Sequence, residues 1–403
     1  MNNNRRVVIT GMGVIASNGT GKDAFMAACR DGILGIRDCT LFSTEKLRTG
    51  KFGQVEEELV YAPASYEEEN RMESLMKIAL SETYKDASYS AKLMSQKGSR
   101  ACICLGTLLG TTGDMVAYVH QEAAGEDTRG WLEHSMDFSS WLRQKSGVKG
   151  GIYVDSAACA SGTTAAGMAY DFIKEGIYDV ALTGGADPLL TVNAYGFHAL
   201  QALSTGICNP FDETRDGINI GEGAAFFLIE DLESAKKRGA DIYGEILGYG
   251  LNNDAYHITS PDPEGAGAVT SMESAIREGG ICPEQVDAIN AHGTGTLVND
   301  SMELAAIERV FQGSSQPLRV NSTKALIGHC MGASGAVELA AVLLEMQEGI
   351  SFPMPRLTKP MDGAKRLELL KETQERNARY VLSNSFAFAG NTASILIGAY
   401  EDE

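Results

Sequence analysis

Short apolar, β-branched runs alternate along the chain with longer segments of helical periodicity. Residues 7–10, 101–105, 180–183, 225–229, 286–290 and 394–397 are short runs rich in apolar residues, the signature of strands covered on both faces. Several run into glycine, at Gly11 and Gly13, at Gly106, and at Gly184 and Gly185, where a strand is expected to break and feed a helix. Helical patterns cover 21–29, 73–88, 163–175, 271–278, 302–311 and 333–348. The segments 163–175 and 333–348 are crowded with Ala and Gly. Small side chains let a helix pack closely on both sides, so these two are expected to be central and buried. The pattern predicts an α/β architecture with mostly covered sheets. A turn-rich stretch at 209–217 precedes a second run of strands and helices that begins at Gly244, which places a soft boundary near residue 240.

Composition narrows the class. The chain has 403 residues, 44% of them apolar, and its 45 glycines are dispersed rather than gathered in a tract, which is globular usage. A net charge of −19 argues against a nucleic-acid partner, which requires a basic footprint. Eight cysteines form no C-x-x-C pair and no zinc-finger spacing, so a reducing cytoplasm is the expected compartment. No apolar run is long enough to span a membrane, and Arg5-Arg6 followed by Val-Val-Ile-Thr reads as the start of a strand rather than a twin-arginine signal.

Five motifs carry candidate chemistry. The stretch Ser17-Asn-Gly-Thr-Gly-Lys-Asp23 hints at a phosphate loop but fails, because Ala16 replaces the first glycine and Asp23 would repel phosphate. In Val154-Asp-Ser-Ala-Ala-Cys-Ala-Ser-Gly162, one cysteine stands between an extended run and a small-residue helix. A cysteine at such a turn meets the positive end of a helix dipole, which favours the nucleophilic thiolate. By itself, Cys159 could equally be a buried structural thiol. Asn290-Ala-His-Gly-Thr-Gly-Thr296 puts His292 at the end of a β-run beside open glycine space. Asn321-Ser-Thr-Lys-Ala-Leu-Ile-Gly-His-Cys330 brings Lys324 and His329 to a glycine-rich helix entry; Cys330 is discounted as a thiol partner because adjacent residues point apart. Ser383-Asn-Ser-Phe-Ala-Phe-Ala-Gly-Asn391 offers Phe386 and Phe388 as a gate or as a loop of backbone donors. Each alone has a bland reading in core packing. A structural core, however, has no need of a cysteine, two histidines and a lysine each set in a small-residue loop.

In this order and spacing the motifs resemble the β-ketoacyl synthases of the thiolase-like superfamily over nearly the whole chain. Val7-Val-Ile-Thr-Gly-Met-Gly13, Arg215-Asp-Gly217, Gly221-Glu-Gly223 and Asp254-Ala-Tyr-His-Ile-Thr-Ser-Pro261 belong to the same likeness. The resemblance implies a duplicated αβαβα layered fold, with an N-terminal half at 1–240 holding the cysteine and a C-terminal half at 241–403 holding the two histidines and the lysine. It implies decarboxylative Claisen condensation of malonyl-acyl carrier protein with an acyl group held on Cys159. His292 and His329 would donate hydrogen bonds to the enolate, with Lys324 organising them electrostatically and keeping them neutral. Cys159 and Phe388 would supply the oxyanion-hole N–H groups, with Phe388 also the gate. Glu303, with Asp300 nearby, would pair in the same network. Leu109, Phe197 and Phe386 fall where the family lines its acyl channel. No metal or redox cofactor is implied, since acyl groups arrive on the phosphopantetheine of the carrier protein.

Departures from the family pattern bear on pathway and partner. Leu297 stands where fatty-acid enzymes usually have proline, and Asn299-Asp300 where they have Gly-Asp; the latter resembles the ketosynthase-α subunits of type II polyketide systems. The gate loop carries Ala387 and Ala389 where glycines are commoner. Carrier proteins are acidic and the family meets them with a basic patch, but here that stretch reads Ser65-Tyr-Glu-Glu-Glu-Asn-Arg71, leaving Arg71 as its cation, with Arg48, Lys51 or Arg129 as substitutes. The expectation is a polyketide ketosynthase paired with a homologous chain-length-factor subunit. The alternative is a homodimeric fatty-acid elongating synthase. An inactive chain-length-factor-like subunit fits less well, because Cys159, both histidines and Lys324 are present. Thiolase- or chalcone-synthase-like enzymes use other polar partners.

Overall fold

The computed structural model describes residues 5–59, 69–128, 130, 138–314, 316–364 and 366–401. Its main sheet strands are β1 (Val7–Ala16), β2 (Ala101–Gly106), β3 (Ile152–Asp155), β4 (Val180–Asp187), β5 (Gly223–Asp231), β6 (Gly244–Asn253), β7 (Ala288–Asn290), β8 (Leu318–Asn321), β9 (Leu367–Leu369), β10 (Tyr380–Phe386) and β11 (Asn391–Gly398). The layers and the site are built from helices α1 (Lys22–Arg30), α2 (Arg71–Asp86), α3 (Ser161–Lys174), α4 (Ala266–Glu278), α5 (Leu297–Val310) and α6 (Ser334–Glu348).

Strand order exposes a duplication. The first half runs β3-β2-β4-β5-β1 and the second β8-β7-β10-β11-β6, with β9 added outside β8. In the first half β1–β5 and β5–β4 are antiparallel, while β4–β2 and β2–β3 are parallel. The second half repeats this with β6–β11 and β11–β10 antiparallel and β10–β7 and β7–β8 parallel. A short antiparallel contact between Val7–Ile9 of β1 and residues 244–246 of β6 joins the two. Helix α2 lies on the outer face of β1 and β5, α4 on the outer face of β6 and β11, and α3 and α6 pack against each other between the sheets. The layering is therefore the duplicated αβαβα arrangement expected from the motifs.

The small residues of the two central helices do what their composition predicts. A Cβ on Gly162 would lie 2.7 Å from the Ala336 backbone nitrogen, and one on Gly335 would lie 2.1 Å from Thr163 Oγ1, so only glycine permits this approach. All but the last three residues of α6 are buried. The first strand corrects an expectation: β1 does not break at Gly11 and Gly13 but continues to Ala16, wholly buried. The glycines serve helix packing instead, since a Cβ on Gly13 would sit 2.1 Å from the Ala79 carbonyl oxygen of α2. In the stretch rejected as a phosphate loop, the Lys22 ammonium is held by Asp86 and Tyr243. No helix among the described residues is long and apolar enough to cross a membrane.

Candidate active site

The two halves converge at the N-termini of α3 and α6. A 3₁₀ turn, Ala158–Ala160, carries Cys159 into α3, and a matching turn, Met331–Ala333, leads into α6 just after His329. Ala158 and Met331 both adopt left-handed backbone conformations, with φ of 51° and 53°. For residues with a Cβ such strain persists only where surrounding structure enforces it, and it gathers at functional sites. His329 is held by its main chain: its N–H donates to Asn219 O and its carbonyl accepts from Gly221 N, both at 2.8 Å.

Around this junction Cys159 Sγ lies 2.9 Å from His329 Nε2, and His329 Nδ1 lies 2.6 Å from Ser334 Oγ. The His292 ring stands 5.4 Å from that of His329 at 88°. Its Nδ1 is 3.1 Å from Lys324 Nζ, and Lys324 is ion-paired with Glu338. Cys159, His292, His329 and Lys324 are all buried, none more than 5% exposed. Burial holds both imidazoles well below their ordinary value, helped by the Lys324 charge, so they are neutral at physiological pH. Burial also pushes the Cys159 thiol up to about 12, against an opposing pull from Lys324. This corrects the thiolate expected from the helix dipole. A dipole contributes about 2 kcal/mol at most, too little to offset a shift of this size, so the resting group is a thiol facing a neutral imidazole.

Glu303 enters this network through the main chain: its carboxylate accepts from the backbone N–H groups of His292 (2.8 Å) and Gly293 (2.7 Å) and so fixes the histidine loop. Burial pushes it up to about 7. Asp300 does the same a turn away, accepting from Phe211 N at 2.8 Å and Gly295 N at 3.1 Å. The acid that meets Lys324 is Glu338, which the motifs did not single out. Its signal was present as a lone carboxylate inside the apolar run Ser334-Gly-Ala-Val-Glu-Leu-Ala-Ala341, since a buried acid requires a cation. Asp187 was missed as well. Fully buried, it accepts from Thr107 Oγ1, Leu108 N, Leu109 N and Gly332 N, tying the loop after β2 to the turn before α6. Cys330 turns away from the site, its thiol 3.4 Å from Glu222 O.

A cavity of about 340 Å³ opens onto Cys159, His292 and His329 and is walled by Phe197, Phe386 and Phe388. Phe388 stacks on Phe197 with centroids 5.6 Å apart. Leu109 is not in this wall; its N–H is engaged by Asp187. The gate loop is tied to the loop 254–261 by Ala389 N to Ile258 O and Asp254 N to Gly390 O.

Of the cations expected to receive an acidic carrier, those among the described residues are otherwise engaged. Arg71 is 2% exposed and bonded through two nitrogens to Glu222, so it is a core clasp rather than a surface charge. Arg48 is paired with Asp216 and Lys51 with Asp38. Glu69 is neutralised by Lys77 and Lys145. Glu67, Glu68 and Arg129 lie outside the described residues.

A duplicated αβαβα fold whose two central helices present a thiol to a pair of neutral histidines defines an acyltransferase of thiolase-like type. Residues 4–235 match the model for the β-ketoacyl synthase N-terminal domain and residues 243–358 that for its C-terminal domain. The chain belongs to the β-ketoacyl synthase family. It is 33% identical over an alignment of 417 positions, covering the whole of both chains, to the 3-oxoacyl-acyl-carrier-protein synthase 2 of Staphylococcus aureus strain COL. Among solved structures, the ishigamide ketosynthase/chain length factor superposes with a TM-score of 0.90 at 32% identity, covering 99% of this chain and 100% of that one. AntDE:AntF, a type II polyketide acyl-carrier protein in complex with its ketosynthase, gives 0.88 at 28% identity, covering 98% and 100%.

Proposed function

We propose that this β-ketoacyl synthase is the catalytic ketosynthase of a type II polyketide system, with residues 1–240 supplying the nucleophile and 241–403 the decarboxylating pair. The contact that carries the reading is Cys159 Sγ to His329 Nε2 at 2.9 Å, with the second neutral histidine alongside. An acyl thioester on a carrier's phosphopantetheine enters the cavity, and Cys159 attacks its carbonyl. The backbone N–H groups of Cys159 and Phe388 stabilise the oxyanion. Malonyl-carrier follows and loses CO₂, and the electrons of the broken bond reach the thioester oxygen as an enolate. His292 and His329 donate to that oxygen, and the enolate carbon displaces Cys159 to give the β-ketoacyl product. Charge separation is handled by neutral donors, and the leaving carboxylate generates the carbanion, so no metal or redox group takes part.

The carrier protein docks on the rim of the cavity mouth, where Leu200, Ile258, Leu297 and Val298 are 49–72% exposed. With Arg48 and Lys51 already ion-paired, apolar contact carries this docking. The second macromolecular partner is a homologous chain-length-factor subunit. Among the described residues, edge strand β3 pairs only with β2, and its Val154 is 50% exposed, which suits extension of the sheet across a pseudo-twofold axis. The complex works in the cytoplasm.

A homodimeric fatty-acid elongating synthase is the competing reading, favoured by the full-length match to the Staphylococcus enzyme. Elongation assays with the isolated chain, and with any homologous subunit encoded beside it, separate the two. Weak activity alone, restored by the partner, is expected. Full activity from the isolated homodimer, unchanged by the partner, favours the fatty-acid role.

A further inference from the structure

We infer that Ser334 is a positioning residue that lets His329 take either neutral tautomer, so that one imidazole serves both halves of the condensation; this rests on the ketosynthase reading above. The two histidines have different partners at Nδ1. That of His292 faces the Lys324 ammonium at 3.1 Å. An ammonium can only donate, so this Nδ1 must accept and the hydrogen is fixed on Nε2. His292 is a one-way donor.

His329 Nδ1 faces a hydroxyl, Ser334 Oγ, at 2.6 Å, and both side chains are buried. A hydroxyl accepts or donates by rotating about its C–O bond. When it accepts, Nδ1 carries the hydrogen and Nε2 presents its lone pair to the Cys159 thiol at 2.9 Å. When it donates, Nε2 carries the hydrogen and points it into the cavity. A backbone carbonyl in place of Ser334 would lock the first form, and a backbone N–H the second.

The two half-reactions need different forms. In acyl transfer the thiol proton passes to Nε2 as Sγ bonds to the acyl carbon. The carbon–sulfur bond to pantetheine breaks, and the leaving thiolate takes that proton, so His329 returns to neutral. Exchange with cavity water then moves the hydrogen to Nε2. In condensation malonyl loses CO₂, and the enolate oxygen accepts from Nε2–H of both histidines. The enolate carbon displaces the Cys159 thiolate, which is reprotonated from water, accounting for the one proton the condensation consumes.

The test uses the full chain with ¹⁵N-labelled histidine, six residues in all, and octanoyl-pantetheine and malonyl-pantetheine as probes. Nitrogen shifts should show His292 as a single Nε2–H tautomer and His329 as an average of two, moving toward Nε2–H once Cys159 is octanoylated. Ser334→Ala should slow octanoyl transfer and malonyl decarboxylation about tenfold each, the worth of one buried hydrogen bond. Ser334→Thr, which restores the hydroxyl, should hold both within about threefold of the unmodified chain. His329 locked in one tautomer in both the free and octanoylated enzyme overturns the inference, even if Ser334→Ala fails to fold. So does a folded Ser334→Ala with both half-reactions intact. Absence of octanoyl transfer in the unmodified chain is a failure of the ketosynthase reading itself, whereas a locked His329 in a chain that acylates normally defeats Ser334 alone.

Discussion

At the scale of single residues, the chemistry depends on which group each histidine touches. The Nδ1 of His292 meets Lys324, while the Nε2 of His329 touches the nucleophile. The family resemblance implies equal roles for the two in enolate stabilisation, and spacing along a chain says nothing about which imidazole faces the thiol. The structure separates them. His292→Ala should cut malonyl decarboxylation by about 10²–10³, the usual loss for one preorganised donor, and leave self-acylation of Cys159 within a few-fold. His329→Ala should impair both. Stopped-flow acylation and CO₂ release, measured separately, check this; equal effects of the two replacements on acylation would contradict the geometry. The resting thiol has the same origin. Helix entry is visible in sequence, but complete burial of Cys159 is not, and burial outweighs the dipole.

At the scale of elements, the glycines of β1 illustrate what could and could not be read. Gly11 and Gly13 look like strand breakers, and the pattern stops the strand at residue 10. They lie instead inside a ten-residue strand, because α2 presses on it so closely that Ala79 O occupies the place of a Gly13 side chain. Close approach of a helix is a tertiary fact, invisible to local pattern. Gly13→Ala should therefore overpack this contact and lower stability by about 3 kcal/mol, read as a lower urea midpoint at unchanged slope. An unchanged midpoint would mean that α2 can shift freely. The two Ala/Gly-rich helices, by contrast, were legible as the central layer, since small residues on every face have no other use than packing between two sheets. The short strands β8 and β9 were not, being too brief to show a pattern.

At the scale of the molecule, buried carboxyls link stability to pH. Glu345 is pushed up to about 7 by burial, opposed by hydrogen bonds from Phe352 N and Asn321. Its folded-state value lies above the unfolded one, so the folded protein holds a proton that the unfolded chain releases. That contribution is present at low pH and is lost as pH rises through about 7. Between pH 6 and 8 the unmodified chain should lose about 1 kcal/mol more stability than Glu345→Gln. Thermal or urea unfolding at the two pH values measures it, and parallel curves for the two proteins would rule the linkage out. Duplication was only suspected from the sequence, since the halves share strand order and helix placement rather than residues. The family was legible because catalysis tolerates few alternatives at Cys159, His292, Lys324 and His329, whereas the contacts that Glu338 and Ser334 make from α6 with Lys324 and His329 are set by tertiary packing.

The central claim is that Cys159 holds the growing chain while the two histidines drive decarboxylation. Incubation with octanoyl-carrier thioester followed by peptide mass mapping tests it most directly. The account predicts octanoyl on the peptide carrying residue 159, discharged as a β-ketoacyl product with release of CO₂ when malonyl-carrier is added. An acyl label on Cys330, or a Cys159 adduct that malonyl-carrier cannot discharge, would contradict it.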